Sequence, residues 1–137
     1  MQRCFTNIMS ADVSETSQFY EFLLGMTRQF SADWFISLVH PDRDGMELGI
    51  IQRDHPIVPE ALRGRPSGVM LTFVVADCDD VHTKAEAMGA EIVEPPRDMP
   101  YGQRRMLLRD PEVRLWISAH KRYRQRHKVA VCLVSRS

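Results

Sequence analysis

Few side chains in this sequence combine the type and the setting that chemistry needs. Glu47, in the stretch MELGII, is a lone carboxylate in a run of strand-forming apolar residues. Burial would raise its pKa and make it a general base; a buried acid paired with an arginine would explain it equally well. Arg104 and Arg105 are neighbours in QRRMLLR. Adjacent strand residues point to opposite faces, so one of them, with Arg104 as the candidate, is set to face a cleft or a partner surface. A guanidinium there suits a carboxylate or another anion, and solvent exposure of both is the plainer alternative. Trp34 opens DWFISLV and Trp116 sits in RLWIS, where each could stack on a planar ligand or simply fill core. Tyr101, beside Gly102, lies at a loop mouth suited to a rim contact. His40, His55, His82, His120 and His127 show no i, i+2 or i, i+4 pairing, so they offer no familiar metal spacing.

These residues need elements to hold them, and the chain writes its elements twice. CFTNIMSADV, from Cys4, returns 65 residues later as VMLTFVVADC, from Val69, which puts Phe5 and Met70 in one repeated slot. The first copy predicts a strand over 4–10, then a helix capped by Asp12 with Glu15 three residues on. Thr16, Phe19, Tyr20 and Leu23 make the apolar stripe of that helix, and Gly25 ends it. The second copy predicts a strand over 69–75, a cap at Asp77 or Asp79, a stripe of Val81, Ala85 and Met88, and a stop at Gly89. Residues 33–39 and 46–51 read as a hairpin around the turn HPDRDG, with AEIVE, QRRMLLR and RLWIS as strands of the second copy and PPRDMPYG as a loop. The expected fold is α+β: two tandem βαβββ units forming a curved mixed sheet around a cleft, helices on the outer face. Repeat one covers about 1–52, a Pro- and Gly-rich linker about 53–68, and repeat two about 69–120, together one domain. Clefts between such halves are where small ligands bind.

The totals bound the partners. Hydrophobic residues are 44% and charged residues 26%, as in a soluble globular protein. No apolar run approaches the roughly 20 residues that span a bilayer. The opening MQRCFTNIMS lacks the pattern of a secretory signal, and Cys4, Cys78 and Cys132 are odd in number and scattered, so a cytoplasmic setting is expected. The zero net charge hides an acidic body, residues 1–118, followed by a tail whose KRYRQRHK run has no acidic residue. The body argues against nucleic acid as the chief partner, and residues 121–137 read as a solvated basic tail.

Three blocks in order, ADVSETSQFYEFLLGM, VVADCDDVHTKAEAMGAEIVEPP and PYGQRRMLLRDPE, resemble the vicinal oxygen chelate superfamily of glyoxalases, bleomycin-resistance proteins and extradiol dioxygenases. That resemblance implies the repeated fold, a small-molecule cleft and a homodimer. In metal-dependent members it also implies a divalent ion held by one donor near the start of the first strand and one on the last strand of each half. Carried onto this sequence, those positions fall on Phe5, Glu47, Met70 (or Leu71 with a one-residue slip) and a site near Ile117, of which only Glu47 is a ligand type. The family's D-P-x-G turn reads Asp110-Pro111-Glu112-Val113, without its glycine. The expectation is a metal-free member that sequesters or carries a small, partly apolar ligand. Its contacts would be Phe5, Trp34, Met70, Tyr101, Arg104 and Trp116. The alternative is a lyase, isomerase or dioxygenase-like enzyme using Glu47, with or without a divalent metal.

Overall fold

A computed structural model describes residues 1–120 of the chain. They form two compact units that divide between Ser67 and Gly68, so the Pro-rich stretch after residue 52 belongs to the first. The fold is α+β, and each unit is a βαβββ unit built on a four-stranded mixed sheet.

The first unit runs β1 (Thr6–Ser10), α1 (Val13–Leu24), β2 (Thr27–Ser31), β3 (Phe35–His40) and β4 (Arg43–Gln52), then a 3-10 turn at Glu60–Leu62. The sheet order is β1-β4-β3-β2, with β1 parallel to β4 and the other pairs antiparallel. Asp12 caps α1 by accepting the Glu15 N–H at 3.0 Å. Gly25 ends it at φ 67°, a conformation that costs a side-chain-bearing residue more. Thr16, Phe19, Tyr20 and Leu23 are all buried, as their spacing predicts. The helix packs across β3 and β4 onto Ile36, Leu38, Leu48 and Ile50, with Ile8 of β1 also buried. Each such side chain contributes about 1.5–3 kcal/mol. Thr16 is more than stripe: its hydroxyl shares a 2.8 Å hydrogen bond with that of buried Ser10, which also accepts the Asp12 N–H. This ties the end of β1 to the start of α1.

The second unit runs β5 (Met70–Val74), α2 (Cys78–Ala87), β6 (Glu91–Asp98), β7 (Gln103–Arg109) and β8 (Arg114–His120), in the order β5-β8-β7-β6. Asp77 is the cap, accepting from the N–H groups of Asp79 and Asp80. Helix α2 lies over β6, β7 and β8, where Met106, Leu108, Leu115 and Ile117 are fully buried.

Three local expectations change. The HPDRDG turn is tighter: β4 starts at Arg43, which pairs with His40, and the His40 ring nitrogen accepts the Asp42 N–H. PPRDMPYG is not wholly loop, because β6 runs through Pro95 and Pro96 to Asp98. That strand is the sheet edge and its pairing is twice shifted, so residues without an N–H are tolerated there. The glycine-free turn at 110–113 is closed by a side chain instead, the Asp110 carboxylate accepting the N–H groups of Glu112 and Val113. The basic tail, 121–137, lies outside the described residues.

Gly49 of β4 has no room for a side chain. A Cβ there would sit 2.0 Å from the Asn7 Oδ1 and 3.1 Å from the Phe35 ring. Gly49→Ala should cost about 1–2 kcal/mol in chemical denaturation, since the exposed Asn7 can swing aside but the ring must also give. Adding Asn7→Ala should recover little of that loss, because the Phe35 ring must still give, and full recovery in the double variant would contradict this packing.

Candidate functional site

Each sheet has one face under its helix and one without, and strand alternation decides which residues go where. In the first unit the helix-free face receives Asn7 and Met9 from β1, Phe35, Ser37 and Val39 from β3, and Glu47, Gly49 and Ile51 from β4, according to the pairing register. Phe30 of β2 adds to it, its ring 6.0 Å from that of Phe35. Phe35 in turn lies 5.7 Å from Trp34, and Trp34 stacks on His55 at 4.3 Å with the rings 17° apart. The result is a row of four partly exposed rings. Trp34 belongs to it, just before β3 rather than on it; the sequence pattern points to neither Phe30 nor Phe35, and it weighs His55 only as a metal ligand. Strand parity was the available signal for Phe35, masked by the adjacent tryptophan.

Glu47 lies on that face, and its side chain is only 15% exposed. It accepts a hydrogen bond from the Arg3 Nε at 2.7 Å. The Arg3 guanidinium also stands 4.6 Å above the Phe5 ring. The arginine that pairs with Glu47 is therefore Arg3, a residue that no motif singled out. Phe5 precedes β1 and is 39% exposed.

In the second unit the helix-free face takes Met70, Thr72 and Val74 from β5 and Arg105, Leu107 and Arg109 from β7. Met70, half-buried, opens β5. Arg105 donates to the Tyr101 hydroxyl at 3.3 Å and lies 4.0 Å from Glu94. Arg104 points the other way, toward α2. Its guanidinium grips Asp79 through two 2.9 Å hydrogen bonds and reaches Asp98 at 3.2 Å. The hydrogen bonds to Asp79 raise its pKa above the ordinary arginine range, against the opposing effect of burial, with Asp98 adding to the rise. Arg104 is thus committed to two carboxylates under α2, and Arg105, not Arg104, is the one on the helix-free face. The backbone of Trp116 is part of β8, but its side chain lies outside the described residues.

The register also revises the fourth repeated position. Thr6 pairs with Leu48 in the first unit and Leu71 with Leu115 in the second, so the counterpart of Glu47 is Arg114. Ile117 corresponds instead to Ile50, and both are fully buried core.

The family model for the glyoxalase/bleomycin resistance protein/dioxygenase superfamily matches residues 5–116. The chain belongs to that superfamily. Among solved structures it is similar to a superfamily enzyme from Burkholderia phytofirmans PsJN, with 23% identity, TM-score 0.71, and coverage of 83% of this chain and 94% of that one. It is also similar to TioX from Micromonospora sp. ML1, with 21% identity, TM-score 0.68, and coverage of 88% and 99%. A glyoxalase-related enzyme from Fulvimarina pelagi gives 18% identity, TM-score 0.67, and coverage of 86% and 88%. At these identities the likeness shows the fold. No curated protein matches the chain.

For this superfamily member the metal expected of some relatives can be tested against the residues present. Phe5 has no donor atom, Met70 brings only a thioether, and the Glu47 carboxylate already faces a guanidinium. Among the described residues no three His, Cys, Asp or Glu side chains converge. This set does not fit a divalent ion, because one carboxylate already paired with a guanidinium falls short of the several oxygen or imidazole ligands such an ion needs. A separate depression of about 360 Å³ lies beside the N-terminus of α1, lined by Asp12, Arg28, Asp33 and Gln52 among others. None of the expected site residues whose side chains are described borders it.

The Arg104 grip should register in stability. Arg104→Ala and Asp79→Asn are each expected to destabilise the protein, with a coupling of about 1 kcal/mol in a double-mutant cycle followed by urea unfolding. Strictly additive losses would show that the pair contributes nothing.

Proposed function

We propose that this protein binds a small, partly apolar, planar ligand on the helix-free face of its first unit, and sequesters or carries it without a metal ion. One observation carries the reading. Glu47, the carboxylate among the family's repeated positions, is neutralised by Arg3, while Phe5 and Met70, at the equivalent positions of the two units, bring no oxygen or imidazole donor. The row Phe30, Phe35, Trp34 and His55 supplies the stacking surface that such a ligand needs. The superfamily's name joins bleomycin resistance with glyoxalase and dioxygenase, which leaves room for both binding and catalysis.

A second reading keeps Glu47 as a general base in a lyase, isomerase or dioxygenase-like enzyme. Its low exposure on an apolar face favours this, and Arg3 would then have to move aside for substrate. We further place the protein in solution as a homodimer in the cytoplasm. Among the described residues no helix is long and apolar enough to cross a membrane.

Elemental analysis of protein purified without added metal and then dialysed should find Ni, Zn, Fe and Mn well below one equivalent. A stoichiometric metal would sink the metal-free reading. Planar aromatic ligands should quench Trp34 fluorescence, and Phe35→Ala should weaken that binding by about tenfold, as loss of one aromatic contact implies. Unchanged affinity would move the ligand away from the ring row.

A further inference from the structure

The surroundings of Arg3 have the makings of a receptor for a cation. A mostly shielded carboxylate and an aromatic face converge on one guanidinium, Glu47 at 2.7 Å and Phe5 at 4.6 Å from its ring centroid. Those are the two attractions that recognise an organic cation: an ion pair and the negative face of a ring. The occupant is loosely held. The Arg3 side chain is 55% exposed, and what holds it in place is the single bond to Glu47 and the contact with the Phe5 ring. Glu47 is the reverse, shielded among Val39, Gly49 and the residues around them, with Arg3 as its ion-pair partner among the described residues. A shielded carboxylate deprived of its cation is costly, so the position demands positive charge from some source. The second unit does not repeat the arrangement, because Met70 and Arg114 stand where Phe5 and Glu47 do.

We propose that Phe5 and Glu47 form a seat for the protonated amine, amidine or guanidine group of a small ligand, and that Arg3 is an internal stand-in which this group displaces. This rests on the small-ligand reading above and names the ligand class. The ligand then combines one cationic group with a planar apolar body. The cation enters beside Glu47 as Arg3 swings into solvent.

The test uses three probes that share a ring and differ in charge: benzamidinium, benzamide and benzoate. Each is titrated into the full-length protein, the Arg3→Ala variant and the Arg3→Ala/Glu47→Gln double variant, with binding followed by NMR shift changes and folding checked by thermal unfolding. Arg3→Ala should bind benzamidinium about tenfold tighter than the unaltered protein does, and about tenfold tighter than it binds benzamide. The added Glu47→Gln should erase that preference. Equal affinity for benzamidinium and benzamide in Arg3→Ala, or a preference that survives Glu47→Gln, overturns the cation seat. If all three probes bind alike and lose affinity on Phe35→Ala, the seat falls while the small-ligand reading stands. If none binds to any variant, both fall.

Discussion

Each sheet in this protein has two faces and a single helix, and that inequality dictates where every other side chain can stand. Strand alternation sends Ile36, Leu38, Leu48 and Ile50 under α1, and Met106, Leu108, Leu115 and Ile117 under α2, where burial supplies most of each unit's cohesion. The residues between them must then face away from a helix whatever their chemistry. Glu47 and Phe35 in one unit, and Arg105 and Leu107 in the other, are turned to the helix-free face for that reason and not through any feature of their own.

Electrostatics then separates the two repeats. Their backbones share one plan, down to the aspartate caps at Asp12 and Asp77. Yet the position that holds an acid in the first holds Arg114 in the second, and a hydroxyl pair at Ser10 and Thr16 has no second copy, since Val75 stands at the position matching Ser10. Duplication preserves packing because apolar burial tolerates substitution of like for like. Charges are free to diverge, because an isolated carboxylate needs only one local partner. In the first unit that partner comes from outside the regular structure, in the residues before β1.

Arg104 and Arg105 show how far one residue of register reaches. The first donates under α2 to Asp79 and Asp98, fastening helix to strand, while the second meets Tyr101 on the opposite side. The bidentate grip on Asp79 gives Arg104 a structural role that a one-residue slip would pass to its neighbour. Phe35 and Trp34 differ from that pair: register puts Phe35 on the helix-free face, while Trp34, just outside β3, escapes the alternation, lies beside the Phe35 ring and stacks on His55.

Local and periodic features are legible in the chain itself. Caps, apolar stripes, the repeat and the family blocks all act over a few residues, and they located both helices and the fold class. The polar strand β2, exposed throughout, left no alternation to read, and the prolines of β6 concealed an edge strand. It took the folded chain to establish which side of each sheet the helix covers, that Arg3 reaches Glu47 across 44 residues, and that the mate of Glu47 is Arg114 and not Ile117. Those facts depend on pairing register and on contacts between distant segments, which no local pattern encodes.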